Sequence, residues 1–195
     1  MTASVFQWII DNAVDLSINK RAVVAQTVAR DQTVRTTSRG GQIWRFTVTP
    51  SPGITWTVAR PYIDQLDKAD KFTTGTITFG NNAGLAYLFG AQTTSVPTSA
   101  SWTQGSDSLA LSGGTLTAGD IVQFGANARV YSAATTGSTV TLNRPALDTT
   151  GSGAVVVGSN CAFKIVCTQF PEWRIEPTDR CVKWSGPFVF FEELQ

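Results

Sequence analysis

The chain of 195 residues contains no histidine. Serine–histidine–carboxylate and cysteine–histidine catalysis are therefore excluded, and so are the usual zinc sites. Only three cysteines are present, Cys161, Cys167 and Cys181, which leaves a tetrahedral metal set one ligand short unless a carboxylate joins it. Three thiols are also too few for a disulfide framework and fit a cytosolic folding compartment where thiols stay reduced. A Cys167–Cys181 pair stays open, because both residues fall on expected C-terminal strands. No phosphate loop of the Gly-x-x-x-x-Gly-Lys-Ser/Thr kind occurs. The run Gly151-Ser152-Gly153 lacks the strand–turn–helix setting of a dinucleotide fingerprint.

No apolar run approaches the length that spans a membrane. The segment Met1-Thr2-Ala3-Ser4-Val5-Phe6-Gln7 has neither the basic nor the apolar region of a cleaved leader, so a soluble, non-exported protein is expected. Fourteen acidic residues are available, but no spacing singles out a carboxylate pair for hydrolysis. No cysteine has a visible neighbouring base. The sequence therefore predicts a protein that is not an enzyme and takes no cofactor and no metal.

Charge is scarce as well: 15% of residues are charged and the net charge is +1, so bulk electrostatics name no partner. Its distribution is uneven. Between Ser17 and Tyr62 lie Lys20, Arg21, Arg30, Arg35, Arg39, Arg45 and Arg60 against the single acid Asp31. Between Thr73 and Thr150 only Asp107, Asp120, Arg129, Arg144 and Asp148 are charged.

What the sequence does have is glycine, proline, Ser/Thr-rich turns and aromatic strands, which favour a mainly β protein. The stretch Ser38–Val48 is the firmest. Gly40-Gly41 offers the positive φ angles of a tight turn, and Trp44, Phe46 and Val48 alternate with Arg45, Thr47 and Thr49. A half-buried strand ending at Pro50 is expected, with residues 33–37 pairing back onto residues 43–49. Arg39 and Arg45 then project from the polar side.

Residues 5–16 read as a strand or arm, residues 17–28 as extended, and Arg30-Asp31-Gln32 as a turn. The one helix expected covers residues 59–69, with Ala59, Tyr62, Leu66 and Ala69 on one face and Pro61 near its start. Asp64 and Asp67 are read as solvated.

The middle of the chain is low in charge and rich in short strands between turn signals, which suggests a small barrel. Aromatic strands flank it on both sides. The expected organisation is a β-sandwich-like domain with one helix from residues 1–79 together with 161–195, and a small OB-like β-barrel inserted at 80–160. A single long β domain is the alternative.

Five stretches in this order resemble the distal tail proteins of siphophages. They are Arg39-Gly40-Gly41-Gln42-Ile43-Trp44-Arg45-Phe46, the Ala59-Arg60-Pro61-Tyr62 helix, and Leu116-Thr117-Ala118-Gly119-Asp120-Ile121-Val122-Gln123-Phe124 with Arg129-Val130-Tyr131. Then come Leu142-Asn143-Arg144-Pro145-Ala146-Leu147 and the ending Phe188-Val189-Phe190-Phe191-Glu192-Glu193-Leu194.

The resemblance implies a structural virion protein, assembled in the host cytoplasm. Its β domain would form a homo-oligomeric ring, six subunits in that family, joining the tail tube to the tip or baseplate that carries receptor-binding proteins. The partners implied are further copies, the tail tube protein and tail hub or tip proteins, with no nucleic acid and no membrane. Arg35, Arg39 and Arg45 are the candidate subunit-interface residues, and the uneven charge suggests that the Lys20–Arg60 basic cluster meets acids such as Asp64, Asp67, Asp70, Glu192 and Glu193 across subunits. The competing readings are a nucleic-acid- or carbohydrate-binding OB-like module and a major tail tube subunit. The low charge and sparse aromatics of residues 80–160 predict that this segment binds neither DNA nor sugar.

Overall fold

The computed structural model describes residues 4–20, 42–69, 73–126 and 129–193, and the backbone of residues 24–28 and 34–38. The expected Arg30-Asp31-Gln32 turn, the Gly40-Gly41 turn and Arg39 lie outside the described residues. In chain order the first elements are helix α1 (Val5–Asp11) and strands β1 (Ala13–Asn19), β2 (Val24–Val28), β3 (Val34–Ser38) and β4 (Arg45–Pro50). Helix α2 (Trp56–Lys68), strand β5 (Thr74–Ile77) and helix α3 (Ala83–Phe89) follow. The middle of the chain carries β6 (Ser99–Trp102), β7 (Ser108–Ser112), β8 (Ile121–Phe124), β9 (Arg129–Ser132), β10 (Thr139–Thr141), β11 (Gly151–Ala154) and β12 (Val156–Val157). The last strands are β13 (Phe163–Gln169), β14 (Trp173–Glu176), β15 (Cys181–Trp184) and β16 (Phe188–Glu192).

The fold is mainly β, and its central sheet takes strands from both ends of the chain in the order β1-β4-β16-β13-β5, all antiparallel. Strand β4 alternates as its sequence predicts: Phe46 and Val48 are fully buried and Arg45 is exposed. Its neighbours differ from the expectation. Strand β3 pairs with β2, from Val24↔Ser38 to Val28↔Val34, and not with β4. Strand β4 instead lies between β1 and β16, with Arg45 opposite both Asn19 and Phe191. The β2–β3 ladder thus falls, in sequence, between the two strands β1 and β4 that pair with each other.

Three α-helices occur among the described residues where one was expected. Residues 5–11 are helical, not extended. Ser4 caps α1, its Oγ accepting from the Gln7 amide at 3.2 Å, and every residue from Val5 to Ile10 is buried. Burial on all sides removes the 3.6-residue alternation by which a helix is recognised. Helix α2 begins at Trp56, five residues before Pro61. It buries Ala59, Ile63 and Leu66, while Tyr62 is half-buried and stacks on Trp8 with ring centroids 4.7 Å apart.

Asn82 joins two helix ends. Its Oδ1 accepts from the Gly84 and Leu85 amides at the start of α3. Its Nδ2 lies 3.1 Å from the Ile10 carbonyl at the end of α1 and 3.2 Å from that of Ala13. Helix α1 also covers the outer edge of β5. Gln7 exchanges hydrogen bonds with the amide and carbonyl of Thr78, and Ser4 donates to the Thr76 carbonyl. Gly75 is required there, because a Cβ would stand 2.5 Å from Phe6.

The middle of the chain forms a four-stranded sheet, β10-β7-β6-β11, and a three-stranded one, β12-β8-β9. They are not closed into the small barrel expected for residues 80–160. Between β9 and β10 the ladder reduces to the single bridge Ala133↔Leu142. The reason lies in how β8 and β9 are used, since every residue of both strands is buried. Ile121 and Val130 belong to the aromatic core around Phe46, Phe79 and Phe163. Val122, Phe124 and Tyr131 belong to a second core with Trp102, Leu109 and Val140. These two strands wall both cores.

Removing the bridging amide tests this arrangement. Asn82→Ala is expected to lower the unfolding free energy by about 1–3 kcal/mol, from a lost cap and stranded carbonyls. Asn82→Asp retains the cap acceptor but sets a carboxylate against carbonyl oxygens, so it should destabilise too. Urea denaturation of both variants checks this, and an alanine variant within about 0.5 kcal/mol of wild type would contradict it.

Candidate interaction surfaces and a buried polar joint

Three of the stretches quoted above meet in space. Gln42 and Trp44 precede and open β4, Asn143 and Arg144 follow β10, and Glu192 ends β16. The Arg144 guanidinium grips the Glu192 carboxylate with both terminal nitrogens, Nη1 to Oε2 at 2.7 Å and Nη2 to Oε1 at 2.6 Å. Both side chains are under 5% exposed. Nη2 also donates to the Val130 carbonyl at 2.9 Å, Nη1 donates to the Gln42 carbonyl, and the guanidinium lies over the Tyr131 ring at 5.0 Å. Glu192 Oε2 further accepts from the Trp44 amide at 3.3 Å, and the Trp44 indole donates to the Val130 carbonyl at 3.0 Å.

Around the pair lies a shell of amide contacts. Asn143 Oδ1 accepts from the Ser132 amide at 2.7 Å, and its Nδ2 donates to Gln42 Oε1 at 3.2 Å. Gln123 exchanges two bonds with the backbone of Ala162, at 2.7 and 3.0 Å. Arg129 donates to the Glu193 carbonyl. The Asn143–Ser132 bond lies within the middle of the chain, and the others link that part to residues in or flanking the strands of the central sheet. A bidentate arginine–carboxylate pair in a dry site is orienting as well as attractive. With no solvent access it presents nothing to a substrate, and its chemistry is to hold β9, β10 and β16 in one geometry.

The paired state of Glu192 overturns one sequence expectation. Glu192 and Glu193 were expected to meet a neighbour's basic residues, but Glu192 is buried on Arg144 and Glu193 pairs with Lys164 at 3.0 Å. Asp64 and Asp67 are exposed, and Asp67 accepts from the Trp173 indole at 3.3 Å. Asp70 lies outside the described residues.

The candidate interface arginines are spread over different elements. Arg35 sits on β3 opposite Thr27, and its side chain is outside the description. Arg39 is outside it altogether. Arg45 starts β4, is exposed, and lays its guanidinium over Phe191 at 5.5 Å.

The thiols have no catalytic setting. All three are free, with Cys161 and Cys167 buried. Burial pushes both of those thiols up to about 12, against the ordinary 9.0, so neither ionises to a nucleophile near neutrality. Among the described residues no group of three or more cysteine or acidic side chains is arranged to hold a metal.

Two surfaces among the described residues combine a strand at the end of its sheet with exposed apolar side chains. The central sheet ends at β1, which pairs only with β4 among the described residues and exposes Val14 and Ile18. The hairpin β14–β15 stands beside α2, where Trp56, Ile175 and Pro177 line an apolar hollow of about 340 Å³. Exposed edges of this kind are templates for pairing with another chain. Sequence reasoning missed both surfaces, because which strand lies at an edge is a property of the assembled sheet.

No family model matches the chain, and no curated protein matches it.

The joint is tested by a double-mutant cycle. Arg144→Met or Glu192→Leu alone leaves one charge buried without its partner and is expected to cost about 3–5 kcal/mol, whereas the double variant recovers much of that loss. Chemical denaturation measures all four chains. Single variants costing under about 1 kcal/mol, with no coupling, would contradict the role given to the pair.

Proposed function

We propose that this chain is a structural protein of a bacteriophage tail tip. In this reading it forms a ring that joins the tail tube to the tip or baseplate and its receptor-binding apparatus. It acts by contact with other copies and with tail tube and hub proteins, performs no reaction, and resides in the virion tail after assembly in the host cytoplasm. Its central sheet is the sandwich-like, ring-forming part, and residues 80–160 are the OB-like part set into it. Arg35, Arg39 and Arg45 are assigned to subunit contacts.

One observation carries this reading. Gln42, Trp44, Asn143, Arg144 and Glu192, all within stretches that resemble the siphophage distal tail family, converge on a single buried joint. Residues held for a joint describe a rigid building block. Strand β1 lies at one end of the central sheet and pairs only with β4 among the described residues, and an outer strand is a place where another chain can add. A contact between two different patches of one chain closes into a ring when the rotation per copy closes.

Negative-stain microscopy of the purified full chain tests the proposal. Discrete single-layer rings are expected. Long filaments would assign the chain to the tail tube instead. Monomers that shift an oligonucleotide or bind a glycan would assign it to the binding-module class and overturn the structural reading.

A further inference from the structure

The hairpin β14–β15 is covered on one side only. On the β15 side the Val182 amide donates to the Ile54 carbonyl at 2.8 Å, and Cys181 bridges to Thr55. Within the hairpin the Ser185 amide donates to the Glu172 carbonyl at 2.8 Å. The ladder continues through Trp173↔Trp184, Arg174↔Lys183, Ile175↔Val182 and Glu176↔Cys181. Bonded and non-bonded pairs alternate along an antiparallel ladder. Arg174 and Glu176 therefore turn their backbone groups toward β15, and Trp173 and Ile175 turn theirs away from it. Among the described residues nothing bonds to those outward amides and carbonyls.

The side chains along this edge are exposed too. Arg174 and Glu176 face solvent, and Ile175 is 40% exposed. Arg174 stands directly opposite Lys183, a like charge, and makes no ion pair among the described residues. Like charges set opposite one another across a ladder repel. Glu176 reaches Lys183 at 3.2 Å, a surface pair of the kind that contributes little. The strand thus presents an apolar side chain between a cation and an anion.

Such a strand is complementary to itself. Laid antiparallel on its own copy with Ile175 opposite the partner's Ile175, it sets Arg174 opposite the partner's Glu176, and Glu176 opposite the partner's Arg174. The outward backbone groups of the two Ile175 residues then exchange two hydrogen bonds across the axis. Neighbouring registers are rejected. Centring the pair on Arg174 or on Glu176 sets that residue against its own kind. Centring it on Trp173 brings Pro171 into the ladder, and Pro171 is buried and has no amide hydrogen.

We propose that β14 pairs across a two-fold axis with β14 of a second copy of this chain, with Ile175 at the axis. The two hairpins become one four-stranded antiparallel sheet, which is sturdier than a lone two-stranded hairpin. The same patch serves both copies, so the contact is complete at two chains. It is separate from the contact between unlike patches that a ring needs, and it does not rest on the ring-forming reading.

Cross-linking of the full chain tests it. Arg174 and the partner's Glu176 form a non-bonded pair, with Cα atoms about 4.5 Å apart, within the span of a disulfide. An equimolar mixture of Arg174→Cys and Glu176→Cys, mildly oxidised, is expected to give a linked pair at twice 20.9 kDa on a non-reducing gel. Wild type and either variant alone are expected to stay single, because in this register each new thiol lies opposite the other position and not its own. Both sites are exposed, so circular dichroism and melting should match wild type. Charge reversal gives a second reading by sedimentation equilibrium. Arg174→Glu alone and Glu176→Arg alone should each self-associate at least about tenfold more weakly than wild type, and their mixture should recover the wild-type affinity.

A mixture of the cysteine variants that does not link, or links no more than either variant alone, overturns the contact. Charge reversals that leave self-association unchanged overturn it as well. Rings formed by a chain that fails these tests leave the ring reading standing, and linked pairs from a chain that forms no rings leave this contact standing.

Discussion

A buried charge cannot be left alone, and that constraint organises this protein. Moving a guanidinium or a carboxylate out of water costs several kcal/mol per ion unless geometry and extra hydrogen bonds return it. Arg144 and Glu192 meet the condition with two mutual bonds, two backbone carbonyls, a backbone amide and an aromatic face. The consequence is positional. The loop after β10 can sit in one place only, against β9 and the end of β16, and this fixes the middle of the chain on the central sheet. Asp107 is exposed, but three other charges of the middle segment follow the same logic. Asp120, Arg129 and Asp148 are buried, and Asp120 receives the amides of Gln92 and Thr117. Where charge is scarce in the sequence, it is structural in the fold.

The shared wall of β8 and β9 works with the joint. A strand buried on both faces gives alternate side chains to two cores, so neither core can repack without disturbing the other. Ile121 and Val122, adjacent in sequence, serve different cores. Rigidity of this kind suits a part whose task is to hold a shape under load from its neighbours.

Much of the local structure was legible in the sequence. The alternation of Trp44, Phe46 and Val48, the helix around Ala59 and Leu66, and the mainly β character follow from side-chain periods that burial imposes. Pairing was less legible. Gly40-Gly41 reads as a turn between β3 and β4, but the partner of a strand is chosen by the whole sheet, and β4 found β1 and β16. Helix α1 has no amphipathic period because it is buried all round, yet Ser4 followed by Gln7 three residues on is a capping signal that was available. Helix α3 was hidden by the glycines and asparagines before it, although Asn82 among them is its cap. The joint had no local signal at all. Arg144 and Glu192 lie 48 residues apart, and only the rarity of charge around Arg144 hinted that it was there for structure.

The central claim is that the middle of the chain and the sheet made from both chain ends open together, held by the buried pair. Native-state hydrogen exchange measures this directly, because contiguous regions that unfold as one unit share one opening free energy. The amides of Trp44, Val130, Tyr131 and Phe190 are predicted to exchange with a common opening free energy, and Arg144→Met is predicted to lower all four together. If Val130 and Tyr131 open at markedly lower free energy than Trp44 and Phe190, in wild type and variant alike, the two parts are independent and the account fails.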